Sequence, residues 1–277
     1  MKNYFVMLKR ILRVFAMRDK VSIVVTCYNC EKTIERTINT LIGQIYRNIE
    51  IILIDDCSTD NTKNMLEAYE SKYSNVKCIY LDKNGGTYIA KNHGMSKSTG
   101  KILAFNDAGD LSSRWRILLQ LLYIAKHGII GCFCSYVRVD ESGALIPESK
   151  GKLVRQALIG LVVHKKPVIA QAGFYDSIRM SGDSEYIGRL RRIFGFKQIK
   201  YYEKVLYTAI EEKESLTVSG VGAFKICAET GKRKGPKIRE DYANAYKKWH
   251  SKASKKDLHI PFPLHERKFD APRAMLP

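Results

Sequence analysis

The stretch "VSIVVTCYNCEKTIERTINTLIGQIYRNIEIILIDDCSTDNT", residues 21–62, decides the fold. It opens with an uncharged, β-branched run, typical of a buried strand over 21–29. Apolar residues then recur at helical spacing over 31–44, and a second apolar run begins the predicted strand segment 49–62. Both runs end in polar residues, at Tyr28 and at the pair Asp55-Asp56. The stretch therefore predicts a parallel βαβ unit whose polar residues meet at the carboxyl edge of a sheet.

The alternation continues beyond this unit. A helix over "TKNMLEAYESKY" precedes a strand at 76–82, and a glycine-rich turn leads into a helix that stops near Gly100. The strand "KILAFND" follows at 101–107 and ends beside Asp107 and Asp110. Strand and helix thus alternate four times in about 90 residues, the pattern of an α/β fold with a mainly parallel sheet and helices on both faces.

The second half of the chain is less regular. Strands are predicted over 128–140 and 161–168, a polar turn leading into a helix over 181–195, and an amphipathic helix over 239–253. The proline-rich end of the chain is predicted to be extended or loop-like. The chain divides into an N-terminal basic helix at 1–20, one domain at 21–262 and a tail at 263–277.

The net charge of the chain indicates what kind of partner it binds. Lys and Arg total 47 against 28 Asp and Glu, a formal charge of +19, which predicts an anionic partner or surface. Residues 2–18 form a basic amphipathic pattern, which suits either an anionic membrane interface or a helix docked on its own domain or on a partner. No basic-aromatic recognition motif occurs, so nucleic acid is not an expected partner.

Location and cysteine chemistry follow from two further patterns. No run of 18 uncharged apolar residues and no secretory leader is apparent in the sequence, so we expect a cytoplasmic protein, peripheral to the membrane if the first helix binds it. Seven irregularly spaced cysteines fit a reducing compartment. The pair Cys27 and Cys30 has the spacing of a redox or zinc site, but packing as small apolar residues is favoured.

Four motifs in register resemble glycosyltransferase family two, which has the GT-A fold. "VSIVVTCYNCEKTI" resembles the opening block of that family, and "IEIILIDDCSTDNT" resembles its second, acidic block. "NGGTYIAKNHGMSKSTGKILAFNDAGD" resembles the N-x-G-x-x-x-A-R-N-x-G segment followed by D-x-D. "GFYDSIRMSGDSEYIGRL" is similar to the acceptor-side block of bacterial polysaccharide-assembly members.

The resemblance implies an inverting transfer from a nucleotide sugar, with a UDP-sugar favoured, to a glycan or lipid-linked glycan in surface polysaccharide or capsule synthesis. Residues 21–115 would form the donor half and 116–262 the acceptor half. One of the paired aspartates would accept from the uracil N–H, and the lysine of "AKN" would contact base or phosphate. The donor-binding residues implied are Cys27, Tyr28, Glu31, Asp55, Asp56, Lys91 and Asp107.

The D-x-D segment departs from the family pattern. Asp107 takes its first position, but Gly109 stands where the metal-reaching aspartate is usual, and Asp110 follows. The resemblance implies Mg²⁺ or Mn²⁺ held by Asp107 and Asp110, with Asp110 reaching the ion through a shift that glycine permits. The alternatives are Lys and Arg in place of a metal, and a degenerate subunit that only binds nucleotide sugar or a partner.

The catalytic base is expected at the start of the helix predicted over 181–195. The family has an acidic residue about six positions before an arginine, and Asp183 and Arg189 match this spacing. Glu185 offers a second carboxylate. Inverting transfer needs such a base to take the proton of the acceptor hydroxyl. Asp183 also suits a helix N-terminus on structural grounds alone, and His250 suits packing in a late helix.

Overall fold

The computed structural model describes residues 19–147, 151–211, 221–226 and 233–277. The amphipathic helix predicted over 2–18 lies outside these residues. In the first half, every predicted strand and helix occurs, with ends that differ by a few residues. These elements are β1 (Val21–Cys27), α1 (Ile34–Ile42), β2 (Ile49–Asp55), α2 (Thr62–Lys72), β3 (Val76–Tyr80), α3 (Thr87–Lys97) and β4 (Ile102–Asp107).

The second half is more irregular and contains short strands. Its elements are β5 (Leu111–Ser112), α4 (Arg116–His127), β6 (Gly131–Val139), β7 (Arg155–His164), α5 (Lys165–Gln171), α6 (Gly182–Phe194), β8 (Ile199–Ile210), β9 (Lys225–Ile226), β10 (Arg233–Lys234), α7 (Lys237–Lys252) and a 3₁₀ turn (Arg273–Met275).

One strand prediction is partly wrong. The strand expected over 161–168 ends at His164, and α5 begins at the next residue. Pro167 lies in the first turn of α5, where a missing backbone N–H removes no helical hydrogen bond. Apolar residues at 161–163 belong to a buried strand, but the following Lys-Lys-Pro belongs to a helix start. The helices predicted over 181–195 and 239–253 are confirmed as α6 and α7.

The main sheet has eight strands in the order β3-β2-β1-β4-β7-β6-β8-β5. Strands β3, β2, β1 and β4 pair in parallel, as the sequence predicts. Strand β7 pairs antiparallel with both β4 and β6, and β8 pairs with β6 in parallel. The α/β class is therefore confirmed, and the second half of the chain adds antiparallel pairs that make the whole sheet mixed.

Strands β1, β2 and β4 are buried on both faces, which explains their continuous apolar sequences. Alternate residues enter different cores. Val24, Ile54 and Phe105 face a core completed by α6 and α7, whereas Val25, Leu53 and Ala104 face a core completed by α1 and α4. Among the helices of the described ranges, none has the length and apolar content needed to span a bilayer.

Register places the strand ends together. Cys27 at the end of β1 is opposite Asp55 of β2, and Thr26 is opposite Asp107 of β4. The carboxyl ends of β1, β2 and β4 thus form one edge of the sheet, the usual ligand edge of parallel α/β folds.

Candidate functional site

A cleft of about 550 Å³ opens beside the end of β4. Its walls come from both halves of the chain: α3 and the end of β4 on one side, and β6, β8, α6 and α7 on the other. The chemically active side chains lining it are Tyr88, Lys91, Asp107, Asp110, Arg138, Arg179, Asp183, Tyr207 and Arg239. Carboxylates from two distant parts of the sequence therefore share one cavity.

Lys91 joins the two halves of this cleft. Its Nζ lies 3.5 Å from Asp107 Oδ1 and 3.4 Å from Asp183 Oδ1, and its side chain is fully buried. The ammonium also lies over the rings of Tyr88 and Tyr175, at 4.9 and 5.7 Å from the ring centres. Burial alone would lower the pKa of Lys91, but the Asp107 and Asp183 carboxylates outweigh it, and its pKa is raised. Lys91 therefore stays charged between two acids.

Asp183 is held at the first turn of α6. Its Oδ2 accepts a hydrogen bond from the Tyr88 hydroxyl at 2.9 Å, and its backbone N–H donates to the same hydroxyl at 3.2 Å. Gly182 lets the turn approach, because a Cβ there would lie 2.9 Å from the Tyr88 ring. The Asp183 side chain keeps 21% of its surface exposed. A fixed, partly exposed carboxylate in a cleft has the geometry a general base needs.

Gly109 has a structural role in the loop between the two acids of the D-x-D segment. Its φ is +92°, a conformation that glycine adopts without strain. Its N–H donates to Thr37 Oγ1 at 2.9 Å, and the Thr37 hydroxyl donates to the carbonyl of Asp110 at 2.9 Å. Arg36 Nε donates to the Gly109 carbonyl at 2.9 Å. The loop is thus anchored on α1, and the glycine is required by the backbone.

Asp110 is turned toward β8. Its Oδ2 accepts from the Tyr207 hydroxyl at 2.9 Å, and its Oδ1 accepts from the Ile210 N–H at 3.1 Å. The Tyr207 hydroxyl in turn accepts from the Asp107 N–H at 3.1 Å. Burial, followed by the nearby Asp107 charge, raises the pKa of Asp110 to about 7. Each oxygen of the Asp110 side chain therefore already accepts a hydrogen bond from β8.

The expected site for Mg²⁺ or Mn²⁺ therefore does not fit the residues present. Asp107 Oδ1 is buried and receives no hydrogen bond from the described part of the chain, and Lys91 is the cation beside it. Both Asp110 oxygens accept bonds from β8. Within the same described part, no group of three or more His, Cys, Asp or Glu side chains could hold a metal ion. Asp107 and Asp110 do not form a joint divalent site in this geometry.

Asp55 and Asp56 are both nearly buried, but they contact different partners. Asp55 Oδ1 accepts from the Ser58 N–H at 3.2 Å and from its hydroxyl at 2.5 Å. Asp56 accepts from the N–H groups of Gly85 and Gly86 at 2.8 and 2.7 Å, one bond to each oxygen. Burial raises the pKa of Asp56 despite these bonds. Asp56 therefore holds the loop before α3, and Asp55 is the better candidate for contact with a base.

The loop after β1 is tied to the loop after β2. Asn29 Oδ1 accepts from the Thr59 N–H at 2.8 Å, and Glu31 Oε2 accepts from the Asn61 N–H at 2.9 Å. Tyr28 remains half exposed, whereas Cys27 is 1% exposed. Of the residues expected along the nucleoside, Tyr28 suits a direct contact, Glu31 shapes the loop, and Cys27 packs in the core.

Glu185 lies away from the cleft. Its two oxygens bind Arg189 Nε at 2.7 Å and Nη2 at 2.9 Å, and His250 Nε2 is 3.0 Å from Oε1. Both Glu185 and Arg189 are fully buried. Burial alone would raise the pKa of Glu185, but Arg189 and His250 outweigh it and lower that pKa. The geometry corrects the expectation of a second catalytic carboxylate: Glu185 holds α6 against α7, and His250 is packed there with it.

Two site residues were not predicted from the sequence: Tyr88, which donates to the Asp183 carboxylate, and Tyr207, which donates to the Asp110 carboxylate. Tyr88 lies one turn before Lys91 on α3, so helical spacing could have placed it beside that lysine. Tyr207 lies on β8, a strand that the sequence analysis did not predict, 97 residues after Asp110. No local pattern connects those two positions.

The family is shown by comparison with known proteins. Residues 22–183 match the family described as glycosyl transferase family 2. The chain therefore belongs to the family 2 glycosyltransferases, and the matched range contributes Lys91, Asp107 and Asp183 to the cleft.

Relatives and solved structures agree with this assignment. The putative teichuronic acid biosynthesis glycosyltransferase TuaG of Bacillus subtilis is 29% identical over 44% of this chain and 49% of its own length. The putative glycosyltransferase EpsE of Bacillus subtilis is 38% identical over 39% of each chain. S. aureus TarS, solved with UDP-GlcNAc, superposes with a TM-score of 0.60 at 21% identity, covering 73% of this chain and 62% of TarS.

A further neighbour is the mannosyltransferase PcManGT of Pyrobaculum calidifontis, solved with GDP-Man and Mn²⁺. It superposes with a TM-score of 0.55 at 16% identity, covering 75% of this chain and 65% of that one. These structures share the GT-A fold. The chain spans about half the length, or less, of the curated relatives it matches.

Proposed function

We propose that this chain transfers a sugar from a UDP-sugar to a glycan or lipid-linked glycan with inversion, and that Asp183 is the general base. The observation that supports this is the cluster of Asp107, Lys91 and Asp183. In this cluster, Asp107 of the donor half and Asp183 of the acceptor half contact the same lysine. A donor and an acceptor bound on either side of Lys91 would meet in the cleft.

The reaction follows from this placement. The acceptor hydroxyl attacks the anomeric carbon of the donor while an oxygen of Asp183 takes its proton, and the bond from that carbon to the diphosphate breaks. UDP leaves with the bonding electrons. Tyr88 and Lys91 contact different oxygens of Asp183, so the carboxylate keeps one orientation as the proton moves. Fixed geometry of this kind lowers the barrier by avoiding reorganisation.

Donor binding is proposed at the edge formed by β1, β2 and β4. Tyr28 would stack on the base, Asp55 would accept from the uracil N–H, and Asp107 would face the sugar-diphosphate. Support comes from the exposure of Tyr28 and from the register that brings Cys27, Asp55 and Asp107 to one edge. TarS, at 21% identity, was solved with UDP-GlcNAc, which makes UDP the first nucleotide to test.

The acceptor and the location are proposed from charge. The formal charge of +19 suits an anionic surface, and the sequence of residues 2–18 predicts a helix with a basic edge beside an apolar one. We place the enzyme at the cytoplasmic face of a membrane, where a lipid-linked glycan is available. The E. coli relative WfaP, 32% identical over 43% of this chain, is described as acting on a diphosphoundecaprenol-linked acceptor.

Nucleotide binding is the direct test. UDP at 100 times its dissociation constant stabilises a protein by about 2.7 kcal/mol, so the melting temperature should rise measurably. Asp55→Asn should reduce the rise, because it replaces the acceptor for the uracil N–H. Asp19→Asn is the matched control, since Asp19 pairs with Lys101 at the opposite edge of the sheet. No rise with UDP, GDP or any other nucleoside diphosphate would contradict the proposal.

A further inference from the structure

Arg179 connects three segments that are far apart in the sequence. Its Nη1 donates to Asn84 Oδ1 at 2.5 Å, and its Nη2 donates to the Asn84 carbonyl at 3.1 Å. Its Nε donates to the Leu276 carbonyl at 3.2 Å, and its backbone N–H donates to the Met275 carbonyl at 2.8 Å. One side chain thus joins the loop before α3, the segment before α6 and the C-terminal segment.

The Asn84 loop is bonded to Asp56, directly after the end of β2 where the donor is proposed to bind. Asn84 Nδ2 donates to the Asp56 carbonyl at 3.2 Å, and the next two N–H groups bind the Asp56 carboxylate. Gly86 has a φ of +87°, and a Cβ there would lie 2.8 Å from Arg179 Cγ. The arginine therefore lies directly against this loop. Its position fixes where α3, with Tyr88 and Lys91, begins.

The C-terminal segment 260–276, here called the strap, carries the two carbonyl groups that accept hydrogen bonds from Arg179. At its start, Ile260 exchanges backbone hydrogen bonds with Ala172 and Phe174 at 3.0 and 2.9 Å. In its middle, Arg267 Nη2 lies 2.5 Å from Asp176 Oδ2. Near its end, Met275 is fully buried in the core beside α6 and α7. The strap is anchored along its length, so the carbonyl groups that face Arg179 are in fixed positions.

We propose that Arg179 is a positioning residue for the nucleotide-sugar donor, because it holds the loop Asn84–Gly86 in place against the strap. The proposal rests on the donor site proposed above. Arginine suits the role because its planar fork reaches the two Asn84 acceptors while Nε reaches Leu276. A lysine ammonium is a single point and cannot hold these acceptors in the same arrangement. Loss of the fork should loosen the Asn84–Gly86 loop and weaken donor binding.

The test compares two arginines that both anchor the strap. Arg179→Met removes the bonds to the donor loop, whereas Arg267→Met removes the bonds to Asp176 and Ser177 and leaves the donor loop untouched. We expect Arg179→Met to raise the dissociation constant for UDP and the KM for the donor about tenfold, with kcat changed less than threefold. We expect Arg267→Met to lower the melting temperature with less than a twofold change in UDP affinity.

Two further measurements separate positioning from general destabilisation. Arg179→Lys keeps the charge and should recover only part of the affinity. Hydrogen exchange at the Gly85 and Gly86 amides should quicken in Arg179→Met and stay as in the wild type in Arg267→Met.

Unchanged UDP affinity in Arg179→Met would overturn the inference, as would an equal loss in Arg267→Met. Failure of the wild type to bind UDP would instead count against the proposed function, so the two failures are distinguishable.

Discussion

Two carboxylates at the start of α6, Asp183 and Glu185, differ in every physical respect. Asp183 faces the cleft, is partly exposed, and is held by Tyr88 and Lys91. Glu185 faces the core, is fully buried, and is bonded to Arg189 and His250. Positions two apart on a helix are rotated by about 200°, so they point to opposite sides. The comparison teaches that one turn of helix supplies both a chemical group and the anchor that holds it.

The largest effect on sugar transfer should come from changing Asp183, the carboxylate that faces the cleft. Asp183→Asn keeps the shape of the side chain but removes the group that takes the proton. We expect sugar transfer to fall by about 10²-fold or more, with UDP affinity unchanged within about twofold. Rates measured at saturating donor, with UDP binding followed by calorimetry, check this. Near-normal turnover by Asp183→Asn would reject Asp183 as the base.

Changing Glu185, the buried carboxylate, should instead lower stability and leave the activity of the folded variant nearly unchanged. Glu185→Gln leaves Arg189 buried without its full counter-charge, which should cost about 3 kcal/mol of unfolding free energy. Urea unfolding of the wild type and the variant measures this difference. The folded variant should keep kcat within about threefold of the wild type. A variant as stable as the wild type but catalytically dead would place Glu185 in the chemistry instead.

A smaller, pH-dependent effect should come from Asp110. Its pKa is raised to about 7 in the fold, well above the ordinary value of 3.8, so the folded state binds an extra proton between these values. Its contribution to stability is therefore complete below about pH 4 and is lost as the pH rises toward 7. Asp110→Asn should remove this part of the pH dependence of stability. Identical stability profiles for wild type and variant between pH 4 and 7.5 would contradict the pKa of Asp110.

The sequence predicted the parallel strands of the first half well, because the information that specifies them is local. Parallel strands that follow one another in sequence end at one edge, so Asp55 and Asp107 could be placed together from their runs alone. It could not predict how Gly109 or Asp110 is used. Gly109 is fixed by Thr37 on α1, and Asp110 by Tyr207 on β8, 72 and 97 residues away.

The same limit explains the error at Glu185. The spacing from Asp183 to Arg189 placed an acid correctly at the start of α6. Spacing along the chain cannot show which side of the helix faces a cleft until the partner is known. Here the partner is α7, whose His250 contacts Glu185 from 65 residues away.

The most direct test of the central claim is UDP release from UDP-sugars by the purified chain. It should be measured with and without Mg²⁺ or Mn²⁺, with Asp183→Asn beside the wild type. A transferase with Asp183 as its base should release UDP from at least one donor when acceptor is present, and Asp183→Asn should release it about 10²-fold more slowly. UDP binding without release from any donor, in any of these conditions, would contradict the account and leave a protein that only binds nucleotide sugar.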